Sequence, residues 1–258
     1  MDGIRRLHVA GALGAVLWTG ADKTRDGYAN GDSLLVDVAR RVFAVADAGE
    51  RFPAASARLL ERLAAELEGG GAPADPASWQ ARMARVWGRQ PYIEKTTLSC
   101  VAIQPRLEGW RLLLIHGGDS RIAVIDRQTE ALYYGSRADM NFAGRSPWAP
   151  AVQILDLPQG SWRIVLATDG LNGLLGGLDR PETPSVPVWL SRARLDRVLE
   201  TVAAGLTDPC PAPDDAGLIV VAPAALNGHP STQVLMTHAS GPGPVLPLET
   251  VSPQEVAP

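Results

Sequence analysis

Cysteine is scarce in this chain, charge of one sign is nowhere concentrated, and no apolar run is long enough to cross a bilayer. Two cysteines, Cys100 and Cys210, stand in 258 residues at no metal-ligand spacing. That leaves no Cys-ligated zinc site and favours a reducing compartment. Cys100, inside the apolar run LSCVAI, reads as a core residue. Lys and Arg number 24 against 28 Asp and Glu, a net charge of −4 with no basic block, which argues against nucleic acid or an anionic membrane as partner. Arg5 and Arg6 precede LHVAGALGAVLW, which superficially resembles a secretion signal. The run is too short to span a membrane and no small-x-small cleavage site follows it, so it reads as a first β-strand. Histidine is rare too. Gly118-Asp119-Ser120 has the look of a serine-esterase block, but the late His229 and His238 have no nearby Asp, and Ser120 begins a strand. That chemistry needs an oriented late His and an exposed Ser.

What the chain has is apolar runs that end on aspartate. VFAVAD ends at Asp47, RLLLIHGGD at Asp119 and WRIVLATDG at Asp169, and Asp214-Asp215 opens DDAGLIVV. Such runs read as buried strands. Asp is a poor strand former and costly to bury unpaired. Each alone reads as a turn or a helix cap. Together they suggest strand ends converging on one acidic pocket, whose mutual repulsion calls for a hard divalent cation.

Periodicity predicts strands over 7–19 and 33–47, with the polar turn 21–32 between them. Helices are predicted over 54–68, where Leu59, Leu60, Leu63 and Leu67 share a face and Gly69–Gly71 end the run, and over 76–89. Strands follow at 96–104, 110–117, 120–126 and 131–135, then an irregular stretch 137–150, then strands at 151–156 and 162–168. A single helix over 188–206 and a last strand over 216–222 complete the pattern. Residues 225–258, rich in Pro, Gly, Ser and Thr, read as a disordered tail after a domain spanning 1–224. Hairpin-like strands with clustered helices favour antiparallel sheets in an α+β fold.

In their order and context, six segments resemble the metal-dependent serine/threonine protein phosphatases (the PPM, or type 2C, family). They are NGDS at 30–33, VFAVADAGE at 42–50, KTTLSCVAI at 95–103, HGGDSRIAV at 116–124, IVLATDGLNGLL at 164–175 and DDAGLIVV at 214–221. The resemblance covers residues 7–222. It implies a four-layer α-β-β-α sandwich, two antiparallel sheets flanked by helices, with two Mn²⁺ or Mg²⁺ ions at one end. It further implies that Asp47 bridges both ions and that the Ala48 carbonyl ligates one. Asp169 and Asp214 would complete the set, Asp32 would hold metal-bound water, and Asp119 would help hold a third, looser ion. The implied activity is hydrolysis of phosphoserine or phosphothreonine on a protein by a metal-activated water, with no protein nucleophile. The substrate would belong to a serine/threonine kinase system, handled by a cytoplasmic monomer.

The chain also departs from the pattern. Gly31 stands where the family has an acid, so Gly31→Glu is expected to raise activity if that absence is a handicap. Ala48 replaces a glycine, tolerable unless the backbone there needs a positive φ. Lys95 replaces the glycine of Gly-Thr-Thr. The phosphate-binding Arg has two candidates, Arg25, spaced further from Asp32 than usual, and Lys23. These departures support an alternative, a weak or inactive phosphatase-like regulatory module. In the flap-like stretch 137–150, Asp139 weakly resembles a family Asp, and Arg137 and Arg145 read as solvated arginines ahead of a phosphopeptide contact.

Overall fold

A computed structural model describes residues 4–176, 186–207, 211–227, 229 and 232–237, and the backbone of 249–251. Thirteen strands form two sheets. The first runs in the order β13 (Glu249–Val251), β1 (Ile4–Val9), β2 (Leu13–Trp18), β11 (Ala216–Val221), β10 (Trp162–Ala167), β7 (Arg121–Asp126), β8 (Ala131–Gly135). The second runs β12 (Gln233–Thr237), β3 (Asp32–Asp37), β4 (Val42–Asp47), β5 (Leu98–Arg106), β6 (Gly109–Gly117), β9 (Gln153–Pro158). Neighbours pair antiparallel throughout, except that β13 lies parallel to β1.

Three apolar layers make this a four-layer α+β sandwich. Between the sheets, Leu34, Val36, Phe43, Val45, Leu112 and Leu114 meet Leu13, Leu17, Ile164, Leu166 and Ile219. On the outer face of the second sheet, Val42, Ala44 and Ala46 pack with Leu59, Leu60, Leu63 and Leu67 of α2 (Ala54–Gly70) and with Trp79, Met83 and Trp87 of α3 (Pro76–Gly88). Strand β4 thus sends alternate residues to two cores, the period of two that a pleated strand imposes. Both faces being covered, it reads as an unbroken apolar run. Each fully buried Leu contributes about 1.5–3 kcal/mol. The first sheet is covered by the short α4 (Asn172–Leu175) and α5 (Val188–Arg192) and by α6 (Leu195–Thr207), whose Val198, Leu199, Val202 and Leu206 are buried against it.

Several expectations need correction. The strands predicted over 7–19 and 33–47 are each a hairpin, turning at Gly11 (φ +71°) and at Arg41, which takes φ +54°. The polar turn after β2 holds a short helix, α1 (Ala21–Asp26), ended by Gly27 at φ +74°. The helix predicted over 188–206 breaks at Ala193, which is extended (ψ 155°). The buried Arg163 explains the break, because its guanidinium donates to the carbonyls of Leu190 (2.7 Å) and Ala193 and so replaces helical hydrogen bonds. Burial pulls its pKa down to about 10, which still leaves it charged. The stretch read as a disordered tail contains β12, paired along β3 from Gln233–Asp37 to Thr237–Ser33 with Met236 buried, so the sandwich extends beyond residue 224. Its short length and lack of a clear alternation hid it. Cys210 and His238 lie outside the described residues. Among the described residues, no helix is long and apolar enough to cross a membrane.

Candidate metal centre

Antiparallel pairing brings the acids together. Asp32 begins β3 and Asp47 ends β4, so they face each other in register. Asp169 follows β10, Asp214 and Asp215 precede its neighbour β11, and Asp119 lies between β6 and β7. The turn at Asp119 is not a hairpin turn. β6 and β7 belong to different sheets, and the turn crosses between them. All six carboxylates therefore collect at one end of the sandwich.

Carboxylate oxygens of Asp47, Asp119 and Asp169 lie within 4.8 Å of one another. Oδ1 of Asp119 is buried and has no hydrogen-bond partner. Burial and then the Asp169 charge push the Asp47 carboxyl up to about 7. Asp169 is raised by burial and by Asp119 and Asp214. Asp32, fully enclosed, is raised well above the carboxylate range, first by burial and then by Asp47. Like charges held this close disfavour one another. An all-oxygen set with an orphaned buried oxygen has the chemistry of a hard-cation site, and the residues fit Mn²⁺ or Mg²⁺.

Hydrogen bonds from the residues around the acids fix this arrangement. The Asp47 carbonyl accepts from Thr96 Oγ1 (2.6 Å) and from the Thr97 N–H (2.8 Å), while the Asp47 N–H donates to Thr97 Oγ1 (2.9 Å). Thr97 Oγ1 and Ser120 Oγ share a hydrogen bond of 2.6 Å, tying Asp47 to the turn that carries Asp119. Asp139 Oδ1 accepts from the N–H of Gly118 and of Asn141, both at 2.9 Å, and clasps that turn from the other side. Thr168 Oγ1 donates to Asp32 Oδ2 (2.6 Å) and accepts from the Gly217 N–H (2.7 Å). Sequence reading places Asp139, Ser120 and the threonines of KTT within motifs but assigns none of them these supporting roles.

Asp214 stands at the rim, its side chain 57% exposed and outside the group of three. Asp215 is committed to backbone, accepting from the N–H of Gly20 (2.9 Å) and of Gly31 (2.7 Å). Its carboxyl is raised by burial, which those two bonds oppose. Ala48 is not among the residues with positive φ, so its methyl group costs no backbone strain. Its carbonyl rests on Gly31, where an added Cβ would come within 2.3 Å of the Ala48 oxygen. Gly31 is therefore a close-approach position, and the expectation that Gly31→Glu restores a missing acid fails on space.

The two candidate cations part company. Arg25 is 68% exposed and bonds Asp26 (2.8 Å) and Asp22 (3.0 Å). Lys23 is nearly buried, its Nζ 2.7 Å from Glu50 and 3.7 Å from Asp214. Burial pulls its pKa down, but Glu50 and the charges of Asp214 and Asp215 outweigh it, so the ammonium is held charged beside the acids.

No family model matches the chain, and no curated protein does. Solved structures do. The catalytic domain of the serine threonine protein phosphatase PstP in complex with two manganese ions is 19% identical over 81% of this chain and 96% of that chain, at a TM-score of 0.59. The Mycobacterium tuberculosis phosphatase PstP/Ppp is 16% identical over 81% and 97%, at 0.62. RsbX in complex with magnesium is 13% identical over 84% and 98%, at 0.57. The chain has the fold of the bacterial PPM-type serine/threonine phosphatases, as its motifs suggested.

Proposed function

We propose that this chain is a metal-dependent phosphoprotein phosphatase acting on phosphoserine or phosphothreonine. One observation carries the reading: Asp47, Asp119 and Asp169 converge within 4.8 Å, with a buried Asp119 oxygen unpartnered, at the end of a sandwich of this fold. Asp47, Asp169 and Asp214 would hold two divalent cations with the Ala48 carbonyl, and Asp119 a third. When bound, such ions lower the pKa of water and stabilise charge on an in-line phosphoryl transition state. Asp32, whose Oδ2 accepts from Thr168, would orient a metal-bound water. Lys23, and not Arg25, is the cation set to meet the phosphate. The substrate is a phosphorylated protein, the product of a cognate kinase, and the fold neighbours named as protein phosphatases support that class.

The test is phosphate release from p-nitrophenyl phosphate and a phosphothreonine peptide, with and without Mn²⁺, by wild type and Asp47→Asn. Turnover that requires Mn²⁺ and disappears in the variant supports the reading. A second reading, an idle regulatory module, draws on Arg25 being tied to Asp22 and Asp26 and on the space denied to an acid at position 31. It predicts a folded protein with neither turnover nor tight Mn²⁺ binding.

A further inference from the structure

Beside the acid cluster lies an open cavity of about 580 Å³ that this role for the acids does not use. Three segments build it. The chain leaving Asp47 supplies Gly49, Glu50, Arg51 and Phe52. The segment leading to Thr96 supplies Tyr92, Ile93 and Lys95, and the loop after Ala143 supplies Arg145. They lie side by side because Ala48 bridges Thr96 and Thr96 bridges Ala143. Gly144 makes this closeness possible, with φ +78° and a position where a Cβ would sit 2.5 Å from the Glu94 carbonyl.

The charge of this cavity is opposite to that of the acid cluster. Its one lining carboxylate, Glu50, is spent on Lys23 at 2.7 Å. Among the described residues, Arg51, Lys95 and Arg145 have no carboxylate within salt-bridge distance. Lys95 is parked with its Nζ 3.8 Å from the centre of the Phe142 ring, and Arg51 has its guanidinium carbon 5.7 Å from that of Phe52. Tyr92 and Ile93 on the rim are 80% and 65% exposed. Cationic groups with exposed apolar neighbours, on a chain of net charge −4, form a local anion-binding surface.

We infer that this cavity is a docking subsite for a carboxylate-bearing stretch of the phosphopeptide, next to the residue being dephosphorylated. The inference rests on the phosphatase reading of the neighbouring acids. Position supports it, since Gly49 is two residues from Asp47 and two residues of chain reach at most about 7 Å. An extended peptide whose phosphate lies at the acids and whose chain runs toward Gly49 enters the cavity lined by Arg51, Lys95 and Arg145. Lys95 stands where the resembled motif has glycine, so the preference belongs to this chain's own sequence.

The test uses two fluorescent phosphothreonine peptides, alike except that Glu or Lys flanks the phosphoresidue. Their affinities are read by anisotropy with Mn²⁺ present, for wild type, Arg51→Gln/Lys95→Gln/Arg145→Gln and the single exposed-site variant Arg145→Glu. Wild type is expected to prefer the Glu peptide by about tenfold at low salt, and less as salt rises. The ratio should fall to near one in the triple variant and drop several-fold in Arg145→Glu. Equal affinities in wild type, or a ratio that survives both sets of substitutions, would overturn the inference. Phosphate release by the same samples separates the two claims. Turnover without flank preference removes the subsite alone. Flank preference without turnover removes the phosphatase reading and keeps an acidic-peptide site.

Discussion

Replacing Asp47 by Asn should stabilise the metal-free protein while removing its response to metal. In the fold, burial and Asp169 raise this carboxyl to about 7, against about 3.9 in an unfolded chain. Below about pH 4 both states are protonated, and the group costs nothing. As pH climbs from about 4 to about 7 the unfolded chain ionises first, so stability falls, and above about pH 7 the penalty is constant. At about 1.4 kcal/mol per pH unit the gap is worth about 4 kcal/mol, and partial solvent exposure brings it to about 2–4 kcal/mol. For a protein of this size that is a rise in Tm of roughly 5–15 °C for Asp47→Asn in chelator at pH 8. With Mn²⁺ the order reverses, because wild type gains about 2.7 kcal/mol for each of two ions at a hundredfold excess over Kd, about 5 kcal/mol together, and the variant loses a ligand to both. Thermal melts of both proteins at pH 5 and pH 8, in EDTA and in Mn²⁺, read all of this. A variant no more stable than wild type in EDTA at pH 8, or one that keeps the full Mn²⁺ shift, would refute the reasoning.

Five other substitutions and one truncation probe the surroundings. Gly31→Ala should cost about 1–3 kcal/mol by urea denaturation, because its Cβ overpacks the Ala48 carbonyl, and Gly31→Glu should lower turnover rather than raise it. Thr168→Val leaves Asp32 Oδ2 and the Gly217 N–H without partners and should cost about 1–3 kcal/mol in the same assay. Lys23→Gln should raise KM for a phosphothreonine peptide several-fold, whereas Arg25→Gln should leave it unmoved, as steady-state kinetics would show. Removing residues 228–258 strips β12 from the edge of β3 and should lower Tm and solubility relative to the full chain, checked by melting and size-exclusion chromatography.

Most of the fold was legible because the strands are covered on both faces or alternate cleanly, and because α2 and α3 carry strong stop and start signals. Asp75 accepts from the Ser78 N–H at 2.9 Å with Pro76 after it, and Gly71 closes α2. What was not legible depended on contacts far apart in sequence. The break between α5 and α6 is imposed by Arg163 from β10, and β12 acquires its structure only from β3. At the site, the positions of the aspartates followed from strand ends. Their supports did not, because nothing local shows which partners Thr97, Ser120, Thr168 and Asp139 hold, and even the faint motif signal at Asp139 left its clasp on the Gly118 turn to tertiary pairing. Gly31 read as a lost acid, and only the nearness of the Ala48 carbonyl, 2.3 Å from where a Cβ would stand, gives it a positive role.

The most direct measurement is anomalous diffraction from crystals grown with Mn²⁺. The account predicts at least two manganese peaks among the carboxylates of Asp47, Asp119, Asp169 and Asp214, and loss of the shared peak in Asp47→Asn. Well-diffracting crystals in millimolar Mn²⁺ with no peak there, or with peaks only elsewhere, would contradict it.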